Sequence, residues 1–225
     1  MKLNIRANKT LLYAIALSAF CIAVLSARLI YVGQKEYIFL CKNLFLAWMP
    51  YAIALLIKRT TEQTVYIKKL LYFILWLLFF PNSAYIITDI YHLDEYKSVP
   101  QWFDLLMLLS FSWAGLVWGF MSLQIVQQRF FEKRRVKANI IFIITVFFLT
   151  GVGIYLGRYE RWNSWDVLFD VHYLYERSYE ILQDTETLKY ITGMAILYCG
   201  VLSFLYYQFF YLKQKAPADY ADFRK

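Results

Sequence analysis

The sequence predicts an all-α fold: a polytopic membrane helical bundle of about six transmembrane helices, with both termini inside the cell. Three observations predict it. Hydrophobic residues occupy 60% of the 225 positions and aromatic residues 20%, which is too apolar for a surface that faces only water. Six stretches are long and apolar enough to cross a bilayer. The loops between these stretches alternate in charge, as the loops of multi-pass proteins do.

The six predicted spans cover residues 11–27, 37–57, 70–87, 102–126, 140–156 and 190–212. Lys42, Asn43 and Pro50 interrupt the second span, so a re-entrant segment is an alternative there. Arg28 directly follows the first span without a small-residue cleavage site, which favours an uncleaved helix over a signal peptide. No linker rich in proline, glycine or serine separates the spans, so we expect a single membrane domain over residues 1–225.

Loop charges predict the orientation. The N-terminus and the loops around 58–69 and 129–137 are strongly basic, whereas seven acidic residues face four basic ones in the segment 158–189. The first loop is the weak case, since Arg28 and Lys35 are opposed only by one glutamate. Because lysine and arginine are retained in the cytoplasm, we expect both termini there and a location in the cell (plasma) membrane. The formal charge of +8 then fits an anionic lipid surface, and no nucleic-acid partner is expected.

A stripe of polar residues on the third span is the first candidate for a site. Asn82, Tyr85, Asp89 and His92 are spaced by 3, 4 and 3 residues, which places them on one helix face. Pro81 removes a backbone donor just before the stripe, so we expect a kink there. Since polar groups inside a membrane are costly unless paired, the stripe indicates either a packed network or a site.

Other spans are expected to bring polar groups to the same outer depth. These residues are Arg28, Lys42, Asn43, Asp104, Ser110, Ser112, Arg158 and Arg161, followed by Asn163 and Asp166. In one interpretation they form a structural network of ion pairs and hydrogen bonds. In the other they line an outward-facing pocket for a small or lipid-linked anionic ligand.

Under the pocket hypothesis the roles follow from the side-chain chemistry. The candidate acids and bases are Asp89, His92 and Asp104, and the candidate binding residues are Asn82, Tyr85, Lys42, Asn43, Arg158, Arg161, Asn163 and Asp166. Asp89 and His92 alone are too few ligands for a metal ion, so we predict neither a metal nor a cofactor.

An amphipathic helix is expected between the fifth and sixth spans. Asn163 followed by Asp166 resembles a helix start, and apolar residues then recur at helical spacing through Tyr175, Tyr179 and Leu182. We expect His172 to lie partly buried on this face. The helix would lie at the membrane interface, either as an anchor or as a lid over the bundle.

Several segments together resemble a known family. They are Phe-Pro-Asn-Ser-Ala-Tyr-Ile-Ile-Thr-Asp at 80–89, Trp-Phe-Asp-Leu-Leu at 102–106 with Ser-Phe-Ser-Trp-Ala-Gly at 110–115, Gly-Ile-Tyr-Leu-Gly-Arg at 153–158 and Arg-Trp-Asn-Ser-Trp-Asp at 161–166. In combination they resemble the bacterial integral-membrane family called domain of unknown function 1361, from the second span to the sixth. This chain has Ser83-Ala84 where the family pattern has a second proline, which implies a milder kink. The resemblance implies a bacterial plasma-membrane protein and no particular reaction.

Catalytic motifs of soluble enzymes are absent from the sequence. No P-loop, dinucleotide-binding glycine pattern, GxSxG or HExxH occurs, and the three cysteines have no paired spacing. Whether the chain is an enzyme therefore stays open. The alternatives to a ligand site are a non-catalytic scaffold or assembly partner and, less favoured by the apolar inner halves of the spans, a transporter.

Overall fold

Helices make up nearly all of the structure, a computed structural model that describes residues 2–61, 63–130, 136–162 and 171–215. In chain order they are α1 (Lys2–Val32), α2 (Phe39–Arg59), α3 (Tyr66–Phe79), α4 (Asn82–Tyr85), a 3₁₀ segment (Ile86–His92), α5 (Gln101–Phe130), α6 (Val136–Arg158), α7 (Val171–Gln183) and α8 (Thr185–Lys215). No strand occurs in these ranges. The predicted all-α class is confirmed.

Six stretches of the described chain are long and apolar enough to span a membrane. They are α1, α2, the run from α3 through the 3₁₀ segment, α5, α6 and α8. The chain is therefore a multi-pass membrane protein. The second span is one continuous helix of 21 residues with Pro50 inside it, so the re-entrant alternative is wrong.

The central helix of the bundle is α5. Almost every side chain from Phe111 to Leu123 is buried, whereas α1 and α8 expose most of their apolar side chains. One apolar cluster packs α5 against α1 and α2, and a second packs α5 against α3, α6 and α8. Exposed apolar residues on the outer helices, such as Leu12 and Phe204, are suited to contact with lipid chains.

The regular α-helical hydrogen bonding of the third span is interrupted at Pro81, the residue at which the sequence predicts a kink. The α-helical pattern ends at Phe79, resumes for one turn in α4 and tightens into the 3₁₀ segment, while backbone angles stay helical at the junctions. Glycines on α5 allow α4 to approach α5 closely. A Cβ at Gly115 would lie 2.6 Å from the Ser83 carbonyl oxygen, and one at Gly119 would lie 2.3 Å from the Ser83 hydroxyl oxygen. Small residues on α5 therefore fix the position of α4, which continues directly into the 3₁₀ segment.

The described part of the predicted amphipathic helix is α7, which precedes α8 by a single residue. Its predicted start at Asn163 and Asp166 lies outside the described residues. Ile181 is buried against the bundle, while Tyr175 and Tyr179 are 72% and 57% exposed.

The expectation for His172 is wrong, because its side chain is 84% exposed beside Glu176. His172 lies on the same side of the helix as Glu176, one turn away, and not on the face that Ile181 packs against the bundle. The helical spacing of apolar residues alone did not show which face of the helix His172 occupies.

Candidate functional site

One end of the bundle gathers most of the polar side chains that the sequence singles out. The C-terminal ends of α1, the 3₁₀ segment and α6 meet the N-terminal ends of α2 and α5 there, through Arg28–Asp104, Asn43–Asp89 and His92–Arg158 contacts. We call this region the polar end. It divides into an Arg28 group, formed by Arg28, Glu36, Ser98 and Asp104, and an Arg158 group, formed by Asn43, Asp89, His92, Glu95 and Arg158.

The Arg28 group is closed and fully paired. The Arg28 guanidinium donates to both carboxylate oxygens of Asp104, at 2.6 and 3.0 Å, and to Glu36 at 2.7 Å. Ser98 donates to the other oxygen of Glu36 at 2.8 Å. Arg28 is 1% exposed and Asp104 is inaccessible to solvent. Because two carboxylates already neutralise this cation, it is not available to bind a further anion.

Glu36 and Tyr37 belong to the loop that precedes α2. Burial raises the pKa of the Glu36 carboxyl, but the hydrogen bonds from Ser98 and Arg28 outweigh burial and hold that pKa below its usual range. The Tyr37 ring lies 4.6 Å from the Arg28 guanidinium carbon, and its hydroxyl donates to the His92 carbonyl at 2.7 Å. Burial, with the nearby Asp104 carboxylate, raises the pKa of Tyr37. Tyr37 thus joins the two groups.

Hydrogen-bond geometry indicates which tautomer of His92 fits the Arg158 group. Arg158 Nη1 lies 3.1 Å from His92 Nε2, and a guanidinium can only donate, so Nε2 is an acceptor. The proton of the neutral ring is then on Nδ1, which donates to Glu95. Both ring nitrogens are engaged, so neither offers a free lone pair to a metal ion.

The surroundings of Arg158 differ from those of Arg28. Arg158 is half-buried, with its guanidinium carbon 5.3 Å from the centroid of the Tyr91 ring. Within the described ranges, no carboxylate forms an ion pair with Arg158. The positive charge is therefore held by a neutral imidazole and an aromatic face.

Asp89 lies one 3₁₀ turn before His92, which brings both side chains to the same side of that segment. Its carboxylate is 1% exposed and accepts a hydrogen bond of 2.8 Å from the Asn43 amide of α2. The Ser112 hydroxyl of α5 donates to the Ile86 carbonyl at 3.2 Å and helps to hold the segment in place. A buried carboxylate is thus adjacent to the polar surroundings of Arg158.

The structure does not bring every predicted residue into this group. Asn82 donates to the Phe79 carbonyl at 2.9 Å, which satisfies the backbone where α3 ends. Tyr85 packs on α6, where a Cβ at Gly157 would lie 3.2 Å from its ring. Lys42 is on an exposed face of α2.

Three further predicted residues follow α6. Arg161 is exposed and adopts a left-handed backbone conformation with φ of 59°. Asn163 and Asp166 lie outside the described residues. In the ranges that are described, no group of three or more histidine, cysteine or acidic side chains is arranged to hold a metal ion.

A groove of about 560 Å³ adjoins the Arg158 group on the side of the bundle. Four tyrosines from three elements line it, namely Tyr91, Tyr159, Tyr190 and Tyr198. This groove was not predicted from the sequence, because its residues are distant in the chain and tyrosines near a membrane boundary are also typical of an interfacial belt. Roles for four loop residues beside the spans were not predicted either, namely Glu36, Tyr37, Glu95 and Ser98.

A comparison with protein families adds one result. Residues 42–201 match the family described as Protein of unknown function (DUF1361). No curated protein and no solved structure matches the chain. The whole Arg158 group lies within the matched residues, whereas Arg28 and Glu36 precede them. Since the match covers more than half of the sequence, the chain belongs to the DUF1361 family.

Proposed function

We propose that the Arg158 group is an outward-facing site that binds the anionic group of a small or lipid-linked substrate. The observation that carries the proposal is the contrast between the two arginines. Arg28 is neutralised by two carboxylates, whereas Arg158 has no acidic partner among the described residues. Asp89 is near enough to Arg158 to interact with its charge, but its hydrogen bond comes from Asn43 and it forms no ion pair with the guanidinium. A guanidinium whose N–H groups are not taken up by a carboxylate can bind phosphate or carboxylate oxygens through two parallel hydrogen bonds.

Asp89 is the acid or base of this proposal. Its buried carboxylate accepts one hydrogen bond, from Asn43, so it keeps free acceptor capacity. Asp104 is less suited to the role because Arg28 occupies both of its oxygens. His92 acts by positioning Arg158, since its neutral ring accepts from the guanidinium. Lys42, Arg161, Asn163 and Asp166 remain proposed contributors at the rim.

The proposed orientation places the polar end outside the cell. The loops around 58–69 and 129–137 join spans at the opposite end of the bundle, and they are the strongly basic ones. Retention of basic loops in the cytoplasm supports a plasma-membrane protein with both termini inside. Helices from both halves of the chain pack on α5, which supports one domain over residues 1–225.

A ligand-dependent stability measurement tests the anion site. The purified protein is heated in detergent with inorganic phosphate or with dihexanoyl phosphatidic acid, and the Tm is recorded. Binding to the folded state raises Tm, so we expect a shift of about 2–4 °C near saturation for the wild type. Arg158→Gln abolishes the shift. Lys97→Gln, which removes an exposed charge from the same end, retains it.

Equal shifts in Arg158→Gln and the wild type would show that these anions bind elsewhere and would refute the proposed site. Asp89→Asn separates binding from acid–base chemistry. We expect Asp89→Asn to keep the phosphate-induced rise in Tm. Cells that carry this variant should show the same phenotype as cells without the gene. A normal phenotype in Asp89→Asn, Asp104→Asn and Arg158→Gln alike would leave no role for the site.

One observation favours a scaffold as the second candidate. Tyr175, Tyr179 and Leu182 form an exposed stripe on α7, at 72%, 57% and 67% exposure, which suits a partner protein as well as lipid. Stoichiometric co-purification of a partner that Tyr175→Ser releases would support it.

Transport is less favoured by the packing of the inner half of the bundle. Phe80, Phe120, Phe147 and Tyr206 fill that half with aromatic rings in mutual contact. Buried serine and threonine hydroxyl groups in this half, those of Ser83, Ser122 and Thr150, donate to carbonyls of their own spans, which makes them less suited to line a polar path inward from Asp89.

A further inference from the structure

The groove and Arg158 share one neighbour, Tyr91. This residue lines the groove, and the Arg158 guanidinium carbon lies 5.3 Å from the centroid of its ring. Tyr91 is 68% exposed, so a ligand in the groove can contact its ring beside Arg158. A ligand that reaches Arg158 from the groove therefore comes from the side of the bundle.

The floor of the groove belongs to a membrane span. Gly193, Met194 and Leu197 lie within the candidate span Thr185–Phe210 of α8. No atom lies within 4 Å of the position that a Cβ of Gly193 would occupy, so the floor is open at this residue. At this depth the open side of the groove faces the hydrocarbon of a bilayer, where lipid chains are the available occupants.

The upper rim of the groove carries both charges of an ion pair. Lys189 and Glu186 pair at 2.8 Å in the first turns of α8 and neutralise each other. Arg158 is then the cation that remains without an acidic partner around the groove in the described chain. The combination of an apolar floor, aromatic walls and a guanidinium that forms no ion pair with a described carboxylate matches an anionic amphiphile.

We infer that the ligand of the Arg158 group is an anionic membrane lipid, with one chain in the groove and its head-group phosphate at Arg158. This inference rests on the proposed function and replaces "small or lipid-linked" with lipid. Lipid chains gain no hydrophobic free energy by leaving the bilayer for a groove, so the preference arises from the ion pair and from the shape of the groove. Filling the floor and removing the charge must therefore each weaken binding.

Photo-cross-linking tests both parts. The protein is reconstituted in phosphatidylcholine vesicles that contain a phosphatidic acid with a diazirine in its acyl chain, and the labelled residues are mapped by mass spectrometry. Gly193→Leu fills the floor. Gly200→Leu is the matched control, because Gly200 is in the same helix and also has no atom within 4 Å of its Cβ position. Leucine favours a helix more than glycine does, so both variants are expected to fold.

We expect labelling of groove residues in the wild type and in Gly200→Leu, and about tenfold less in both Gly193→Leu and Arg158→Gln, a difference of about 1.4 kcal/mol. If Arg158→Gln lowers labelling and Gly193→Leu does not, the anion site stands and the lipid groove is refuted. Loss in Gly193→Leu alone means that the head group is not at Arg158, which refutes the inference. The phosphate-induced Tm shift then decides separately whether Arg158 binds an anion. Protection of the wild type by free inorganic phosphate, at the level given by unlabelled phosphatidic acid, would show a soluble anion as the ligand.

Discussion

At the scale of single residues, Arg28 and Arg158 show how the same side chain serves opposite purposes at one end of a bundle. Arg28 is 1% exposed and forms ion pairs with Asp104 and Glu36, so its charge is neutralised within the protein. Arg158 is half-buried and bonded to a neutral imidazole. The first arrangement joins α1 to α5, whereas the second leaves a charge that a ligand can use.

The paired arginine predicts a large loss of stability on substitution. Arg28→Gln leaves two buried carboxylates without their cation, and breaking a buried pair in this way costs about 3–5 kcal/mol. We expect the free energy of unfolding, measured by SDS titration in mixed micelles, to fall by about that amount. Lys35→Gln removes an exposed charge from the adjacent loop and should change it by less than about 0.5 kcal/mol. Equal effects in the two variants would contradict a structural role for Arg28.

Glu36 predicts how stability depends on pH. Its pKa in the folded protein lies below the ordinary value of 4.5, because hydrogen bonds from Ser98 and Arg28 favour the charged form despite burial. The unfolded chain therefore binds a proton first as the pH falls. The stabilisation is fully present above about pH 4.5 and is lost as the pH falls through the lower folded pKa.

The variant Glu36→Gln tests this dependence. It should unfold at a lower Tm than the wild type at neutral pH, and the difference in Tm should shrink as the pH falls below 4.5. The measurement is Tm against pH in detergent for both proteins. A difference that stays constant across this window would show that Glu36 is not responsible.

At the scale of elements, the interrupted third span depends on close packing against α5. A methyl group at Gly115 would lie 2.6 Å from the Ser83 backbone oxygen, which cannot move away as a flexible side chain can. We expect Gly115→Ala to destabilise the protein by about 1–3 kcal/mol, in the range of other overpacked sites. Gly200→Ala, which meets open space, should be neutral or stabilise by up to about 1 kcal/mol.

Thermal unfolding in detergent compares the two alanine variants. The 3₁₀ segment carries Asp89 and His92, so Gly115→Ala is also expected to weaken phosphate-dependent stabilisation, whereas Gly200→Ala is not. If Gly115→Ala is as stable as the wild type, the close approach of α5 to the interrupted span is incorrect.

A second element, α7, is attached to the bundle by few contacts. Arg177 donates to Glu160 at 2.7 and 3.3 Å, and these hydrogen bonds raise the pKa of Arg177. The pair is partly exposed and screened by solvent, so its contribution to stability is small. Arg177→Gln should therefore leave the global Tm nearly unchanged and increase amide exchange in α7 alone.

Hydrogen exchange measures this local effect. Lys189→Gln is the control, since the Lys189–Glu186 pair is more exposed and lies within α8. We expect no change of exchange in α7 for this variant. Faster exchange throughout the bundle in Arg177→Gln would mean that α7 is part of the core and not a separately attached helix.

At the scale of the whole molecule, the length of the apolar stretches and the positions of single residues predicted the features that depend on local sequence. The six spans follow from apolar stretches about as long as a bilayer is thick, and the interruption follows from a proline that lacks a backbone donor. Which polar residues meet could not be predicted, because a stripe on one helix does not specify its neighbours. Arg28 and Arg158 look alike in sequence, and they differ in the structure because Asp104 and the loop residue Glu36 both pair with Arg28.

The groove could not be predicted from the sequence for the same reason. Tyr91, Tyr159 and Tyr190 come together only through the packing of the 3₁₀ segment, the end of α6 and α8. The sequence shows the glycines that allow this packing, but it does not show which residues they contact. Gly151, for example, meets Ala195, where a Cβ would lie 2.5 Å from the Cα atom.

Orientation in the membrane is the remaining property of the whole molecule, and the direction of the proposed site depends on it. Basic loops predict that Lys97 is outside and Gln63 is in the cytoplasm, and both are exposed in loops at opposite ends of the bundle. In a background without Cys21, Cys41 and Cys199, a membrane-impermeant thiol reagent should label Lys97→Cys in intact cells and Gln63→Cys only in inverted vesicles. The opposite pattern would place the Arg158 group on the cytoplasmic face, where its lipid would come from the inner leaflet. Labelling of both positions in intact cells would instead indicate two orientations in the membrane, since charge bias sets topology only as strongly as the loops differ.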